Sequence, residues 1–218
     1  MELDWKNLSF SRQTLPIIAV IGLLIAESGI RRVHQEDMCQ ALGVPPTIKY
    51  ENEGGPGVAR IVGLLRESSS EPRDDVDTFI GAIAFNWLIG GTDAHAKNYS
   101  ILIGSGGRVR LAPLYDVASI FPYDDFDPMR IKLAMKLGGR YRVRDIAARN
   151  WDTLAHEAGT DPDRVAGRVG DMIERLPDAA EGVRAQMRAQ HLDHAVLDRL
   201  VEELRRHVAG CARTWALR

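Results

Sequence analysis

DDVDTFIGAIAFNWLIGGTDAHAKNYS, residues 74–100, is the stretch on which the fold turns. From 74 to 89 it predicts a helix. Val76, Phe79, Ile80, Ile83 and Trp87 recur at helical spacing, with Ala82, Ala84, Phe85 and Leu88 between them. A helix apolar nearly all round after its first turn belongs inside a molecule rather than on its surface. Gly90 and Gly91 end it and release the chain into the polar run TDAHAKN, residues 92–98. A loop launched from a buried helix has a rigid support, which a functional site needs.

Beyond that run, residues 99–103 and 108–111 flank Gly104, Ser105, Gly106 and Gly107 and predict a β-hairpin. The hairpin folds the chain back so that Asp116 returns beside Asn98. Asp93, Asn98 five positions on and Asp116 in Tyr115-Asp116-Val117 form the minimal polar set of a protein-kinase-type centre. In that chemistry one Asp orients the attacking hydroxyl, while the Asn and the later Asp hold Mg²⁺ against nucleotide phosphates. Such transfer depends on positioning and charge stabilisation, so three oxygen-bearing side chains can supply much of it. The flanking letters differ from the usual pattern: Thr92 stands where Arg would, and Tyr-Asp-Val replaces Asp-Phe-Gly. As bare spacing the same residues also fit two loops rich in turn formers.

Residues 33–43 (VHQEDMCQALG) predict a short helix ending at Gly43, with Pro45 and Pro46 preventing continuation. Residues 49–57 (KYENEGGPG) form a glycine-rich loop, with Pro56 opening a helix that runs to about Glu67. A mixed basic and apolar stretch, 129–137, follows Pro128. Amphipathic helices are expected near 144–158, 163–176, 178–190 and 195–209, with Asp161-Pro162 starting the second and Pro177 stopping it. The whole reads as mainly α with one small hairpin at the candidate loop.

The 218 residues, 45% of them hydrophobic, suffice for one large or two small domains. A net charge of −2 gives no general attraction to nucleic acid or an anionic membrane. The apolar run at 15–26 (LPIIAVIGLLIA) is short of the ~20 residues that span a bilayer. It lacks a basic leader and a small-residue cleavage site, so it reads as a buried strand or helix of a cytoplasmic protein. Cys39 and Cys211 match no metal-ligand spacing and read as reduced, part-buried thiols.

Other motifs favour structural readings. His95 lacks companions for a zinc site among His34, His156, His191, His194 and His207. Gly54, Gly55 and Gly57 precede a helix without a P-loop lysine. Asp124, Asp125 and Asp127 lack the glycine and terminal Glu of a calcium loop. Arg199, Arg205 and Arg206 alternate with Asp198, Glu202 and Glu203 on a wet helix face. Gln35, Glu36 and Asp37 read as favourable first-turn residues of a helix and are left outside the site.

The words HQEDMCQALG (34–43), KYENEGGPG (49–57), FNWLIGGTDAHAKNYS (85–100), LAPLYDVAS (111–119) and IKLAMK (131–136), in that order, resemble the C-terminal kinase lobe of the HipA family. These are bacterial serine/threonine kinases, the toxin halves of type II toxin–antitoxin pairs. The resemblance is detailed from about Arg32 to Trp151 and looser beyond. It divides the chain into a non-family segment, 1–31, and a HipA-like lobe, 32–218. It implies the helical C-lobe of a protein-kinase-like fold, with ATP and Mg²⁺ as cofactors. Asp93 then matches the catalytic Asp, Asn98 and Asp116 the metal ligands, and His95 a position facing the nucleotide phosphates. It further implies a helix-turn-helix antitoxin partner and a protein substrate of the translation machinery. Residues 1–31 contain neither G-x-G-x-x-G nor a V-A-I-K-like strand, and Lys6 is the only lysine before Lys49. A truncated kinase, or one completed by a separately encoded N-lobe, is therefore expected. The alternative is a catalytically silent module that binds an antitoxin or a kinase partner.

Overall fold

A computed structural model describes the backbone of residues 23–26 and 29–32 and complete residues at 33–123 and 127–216. Strands β1 (Leu23–Ala26) and β2 (Gly29–Arg32) pair antiparallel. Strand β3 (His34–Asp37) leads into the one-turn helix α1 (Met38–Ala41), and α2 follows at Val58–Ser68. Helix α3 (Pro72–Ile89) precedes the hairpin β4 (Ser100–Ile103) and β5 (Val109–Leu111). Strands β6 (Lys132–Leu137) and β7 (Arg140–Arg142) form a further antiparallel pair before α4 (Ala148–Glu157), α5 (Pro162–Ala189) and α6 (Ala195–Trp215). Helices dominate, as the sequence implies.

Helix α3 is the axis. It packs against α2, α5 and α6, and buries Val76, Phe79, Ile80, Ile83, Trp87 and Leu88. Trp87 lies 5.4 Å from Trp151 of α4, centroid to centroid, and Phe79 meets Tyr99 edge-on at 4.9 Å. The Gly90-Gly91 stop has a steric cause. Gly90 adopts φ +67°, and a Cβ on Gly91 would lie 2.2 Å from the Asn86 side-chain oxygen. Asn86 is itself buried and donates to Ala82 O and Tyr99 OH, so the chain must pass it closely.

Several expectations change. Residues 34–37 are a strand and not the start of a helix: β3 pairs antiparallel with β4, Asp37 opposite Ser100. Asp37 is instead the N-cap of α1, accepting from Cys39 N and Gln40 N, while Gln40 reciprocates at Asp37 N. Pro56 precedes α2 by two positions, with Gly57 as its N-cap. The unassigned 129–137 stretch contributes β6. The expected 144–158 helix is a 3₁₀ turn (Val143–Asp145) followed by α4.

Pro177 does not stop its helix, because α5 runs through it to Ala189. The tertiary seam explains this: α5 packs on α4, α3 and α6, and that packing outweighs one missing backbone bond. Pro177→Ala restores a donor toward the Ile173 carbonyl, and we expect stability to rise by about 1 kcal/mol. Chemical denaturation checks this; an unchanged midpoint would mean the ring is fully accommodated. Of the apolar run at 15–26, only the β1 residues are described; the rest, and Asp124 and Asp125, lie outside the described residues. Among those described, no helix is long and apolar enough to cross a membrane.

Candidate active site

The turn after α3 is held by its own backbone. His95 N donates to Asp93 O (2.8 Å), Asn98 N to His95 O (2.9 Å), and a 3₁₀ turn covers Ala96–Asn98. Asn98 is buried, and its side-chain Nδ2 donates to Asp93 O at 2.9 Å. Its Oδ1 accepts no hydrogen bond among the described residues, so the oxygen suited to a cation is uncommitted. The Asp93 carboxylate is the opposite case, 66% exposed and turned outward.

Asp116 reaches this turn through its neighbour. The Tyr115 hydroxyl donates to Lys97 O at 2.6 Å, so its contact with Ser100 Oγ at 2.5 Å makes the serine the donor. Ala112 N also donates to Ser100 O (2.8 Å). These bonds tie the segment carrying Asp116 to the two residues either side of Asn98 and Tyr99. Asp116 itself is exposed and adopts φ +53°, a left-handed conformation that Asp tolerates better than most residues. Such local strain is common at functional sites. Lys97 Nζ stands 3.6 Å from Asp37 Oδ2, which links the end of β3 to the same turn.

His95 is 5% exposed. Its Nε2 faces Asp93 Oδ1 at 3.9 Å, and its Nδ1 is buried without a partner. Burial pushes the imidazole below its ordinary pKa, while the Asp93 and Asp116 carboxylates pull it back up. The ring is therefore neutral at pH 7, and both carboxylates act on it.

Two contributors escaped the sequence reading. Tyr50 donates its hydroxyl to Asp93 Oδ1 at 2.6 Å and meets His95 edge-on at 5.1 Å. It lies in KYENEGGPG, but nothing in a separation of 43 residues ties it to Asp93. Asp75, in the first turn of α3, is 2% exposed and anchors β5 through Arg110 and Leu111 N. Among the described residues no three His, Cys, Asp or Glu gather as a zinc or calcium site would require.

A family model described as the HipA-like C-terminal domain matches residues 10–180. The chain belongs to that family. The HipA-like domain is 38% identical over 188 residues to Y4mE of Sinorhizobium fredii, covering 86% of this chain and 43% of that protein. It is 28% identical over 182 residues to the serine/threonine-protein kinase toxin HipA of Shewanella oneidensis, covering 78% of this chain and 39% of that one. Its fold matches a chain from the S. oneidensis MR-1 complex of HipA, HipB and operator DNA. The TM-score is 0.72 at 24% identity, over 87% of this chain and 46% of that chain. The HipA-like domain thus spans less than half the length of these relatives.

Proposed function

We propose that this HipA-like domain carries the phosphotransfer centre of a serine/threonine protein kinase, moving a phosphoryl group from Mg²⁺–ATP to a protein hydroxyl. One observation carries the reading: Asn98 spends its amide nitrogen on the Asp93 carbonyl and leaves its oxygen free beside the segment that delivers Asp116. Mg²⁺ binds through one or two protein oxygens and keeps the rest of its shell for water and phosphates. A free amide oxygen and an exposed carboxylate fit that demand. Bound there, the cation would neutralise charge on the phosphates. Asp93 orients the substrate hydroxyl and takes its hydrogen bond. His95, whose Nε2 lies 3.9 Å from Asp93 Oδ1, is assigned the side of the centre that faces the nucleotide phosphates.

The test uses a chimera in which this chain replaces the matched segment of S. oneidensis HipA. Mg²⁺-dependent transfer of labelled phosphate to serine or threonine is expected. A folded chimera that binds Mg²⁺–ATP and transfers nothing would overturn the proposal. From the family resemblance, and not from the site geometry, we take a helix-turn-helix antitoxin as the partner class and translation-machinery proteins as the substrate class. A second reading, a silent binding module, draws on the exposed Leu114 and Val117 flanking Asp116, which suit contact with another polypeptide. Under it, partner capture survives Asp93→Asn and no transfer is ever seen.

Asp116 needs a carefully chosen variant. Asp116→Ala would add left-handed strain of about 1 kcal/mol to the loss of charge. Asp116→Asn keeps the conformation, so we expect an unchanged melting temperature and a loss of about tenfold or more in Mg²⁺-dependent nucleotide affinity. Calorimetric titration with and without Mg²⁺ reads it; equal affinities would remove Asp116 from the cation site.

A further inference from the structure

We infer that Tyr50 is the positioning residue of Asp93, its phenol fixing Oδ1 so that Oδ2 is the oxygen presented to the incoming hydroxyl. This rests on the reading of Asp93 as the phosphotransfer carboxylate. The two groups aimed at Asp93 converge on one atom: Tyr50 OH at 2.6 Å and His95 Nε2 at 3.9 Å both face Oδ1. No hydrogen bond reaches Oδ2 among the described residues. A carboxylate on an exposed turn otherwise samples several rotamers, and transfer requires one of them.

Tyr50 is itself held firmly. Its ring packs edge-on against the buried His95 ring, and Lys49 Nζ stands 5.0 Å from its centroid. Lys49 O accepts from Ala96 N (3.3 Å), stitching the Tyr50 loop to the catalytic turn through backbone. The far side of the loop is clamped as well. Gly55 N donates to Tyr50 O (2.9 Å), and a Cβ on Gly55 would lie 2.5 Å from Ile48 O. Glu51 Oε2 accepts from Lys136 N of β6 at 2.5 Å, while a Cβ on Gly57 would lie 2.5 Å from the same carboxylate group. The glycines of KYENEGGPG therefore serve a tight loop that delivers one phenol to one carboxylate oxygen. Donation to Asp93 also pushes the Tyr50 phenol pKa up to about 12.

Tyr50→Phe removes the hydroxyl and keeps the ring packing. In the HipA chimera we expect kcat to fall about tenfold or more, with the KM for ATP and the melting temperature unchanged. An unchanged kcat overturns the inference. A second measurement needs no activity: ¹³Cζ-tyrosine NMR of the chain at pH 11. There Tyr50 should be about nine-tenths protonated in the wild type and clearly more ionised in Asp93→Ala, where the hydrogen bond and charge of Asp93 are gone and only burial and Glu53 still raise the phenol. Identical titration in both proteins means that the phenol does not hold Asp93, and the inference falls. If the wild-type chimera transfers no phosphate, the kinase reading fails, while the NMR comparison still decides whether Tyr50 fixes the carboxylate.

Discussion

Asp93→Asn is expected to lower kcat for phosphoryl transfer by about 10²–10⁴, the range for loss of a positioned acid–base group. Asn retains the shape and can still accept the Tyr50 hydrogen bond through its amide oxygen. The other oxygen, however, becomes an NH₂ that repels rather than receives the substrate hydroxyl proton. The native side chain is largely exposed, so the fold has little stake in its charge. Stability and Mg²⁺–ATP binding should both persist, which separates a catalytic loss from a structural one. The measurement is single-turnover transfer in the HipA chimera, with nucleotide affinity read in parallel. A variant retaining more than a tenth of the wild-type rate would exclude Asp93 as the base.

Asp75→Ala tests the support behind the site. Its buried carboxylate receives Arg110 in a two-pronged contact (3.1 and 2.9 Å to Oδ1), Ser69 Oγ (2.6 Å) and Leu111 N (2.8 Å). Arg110 also bridges to Glu71 at 3.1 Å. Truncation leaves a mostly buried guanidinium with Glu71 as its remaining anionic partner and a buried N–H without its acceptor, a change worth about 3 kcal/mol. For a chain of this size that corresponds to a fall in melting temperature on the order of 10 °C. Replacing Arg110 with Leu in the same protein should recover part of the loss, because the stranded charge is then gone. A fall under about 1 kcal/mol in the single variant would show the pair to be dispensable. The functional echo is specific: β5 feeds directly into the segment that carries Asp116.

The sequence made α3 legible because its apolar residues leave almost no wet face, and Gly90-Gly91 mark its end without ambiguity. The β4–β5 hairpin was legible from its glycine tip, and the Asp93, Asn98 and Asp116 spacing from the motif itself. Residues 34–37 misled because acids before an apolar pair suit a helix start and a strand followed by a cap equally well; the partner strand decides, and it lies 63 residues away at Ser100. Pro177 misled because local chemistry forbids what packing against α6 permits. Tyr50 and Asp75 were invisible as site components for a shared reason. Their roles exist only through partners 43 and 35–36 residues distant, and no periodicity records such meetings.

Several polar ties of the central turn close short spans of chain, 5 residues from Asn98 to Asp93, 18 from Tyr115 to Lys97 and 30 from Ser119 to Ile89, and the longer ones, to Tyr50, Lys49 and Asp37, reach back to chain that precedes the turn. Closing loops of that length carries a modest entropic penalty, and contacts so local form early. A ribosome extending this polypeptide would therefore have the reactive turn assembled before α5 and α6 emerge, with those late helices arriving as a brace behind a finished centre.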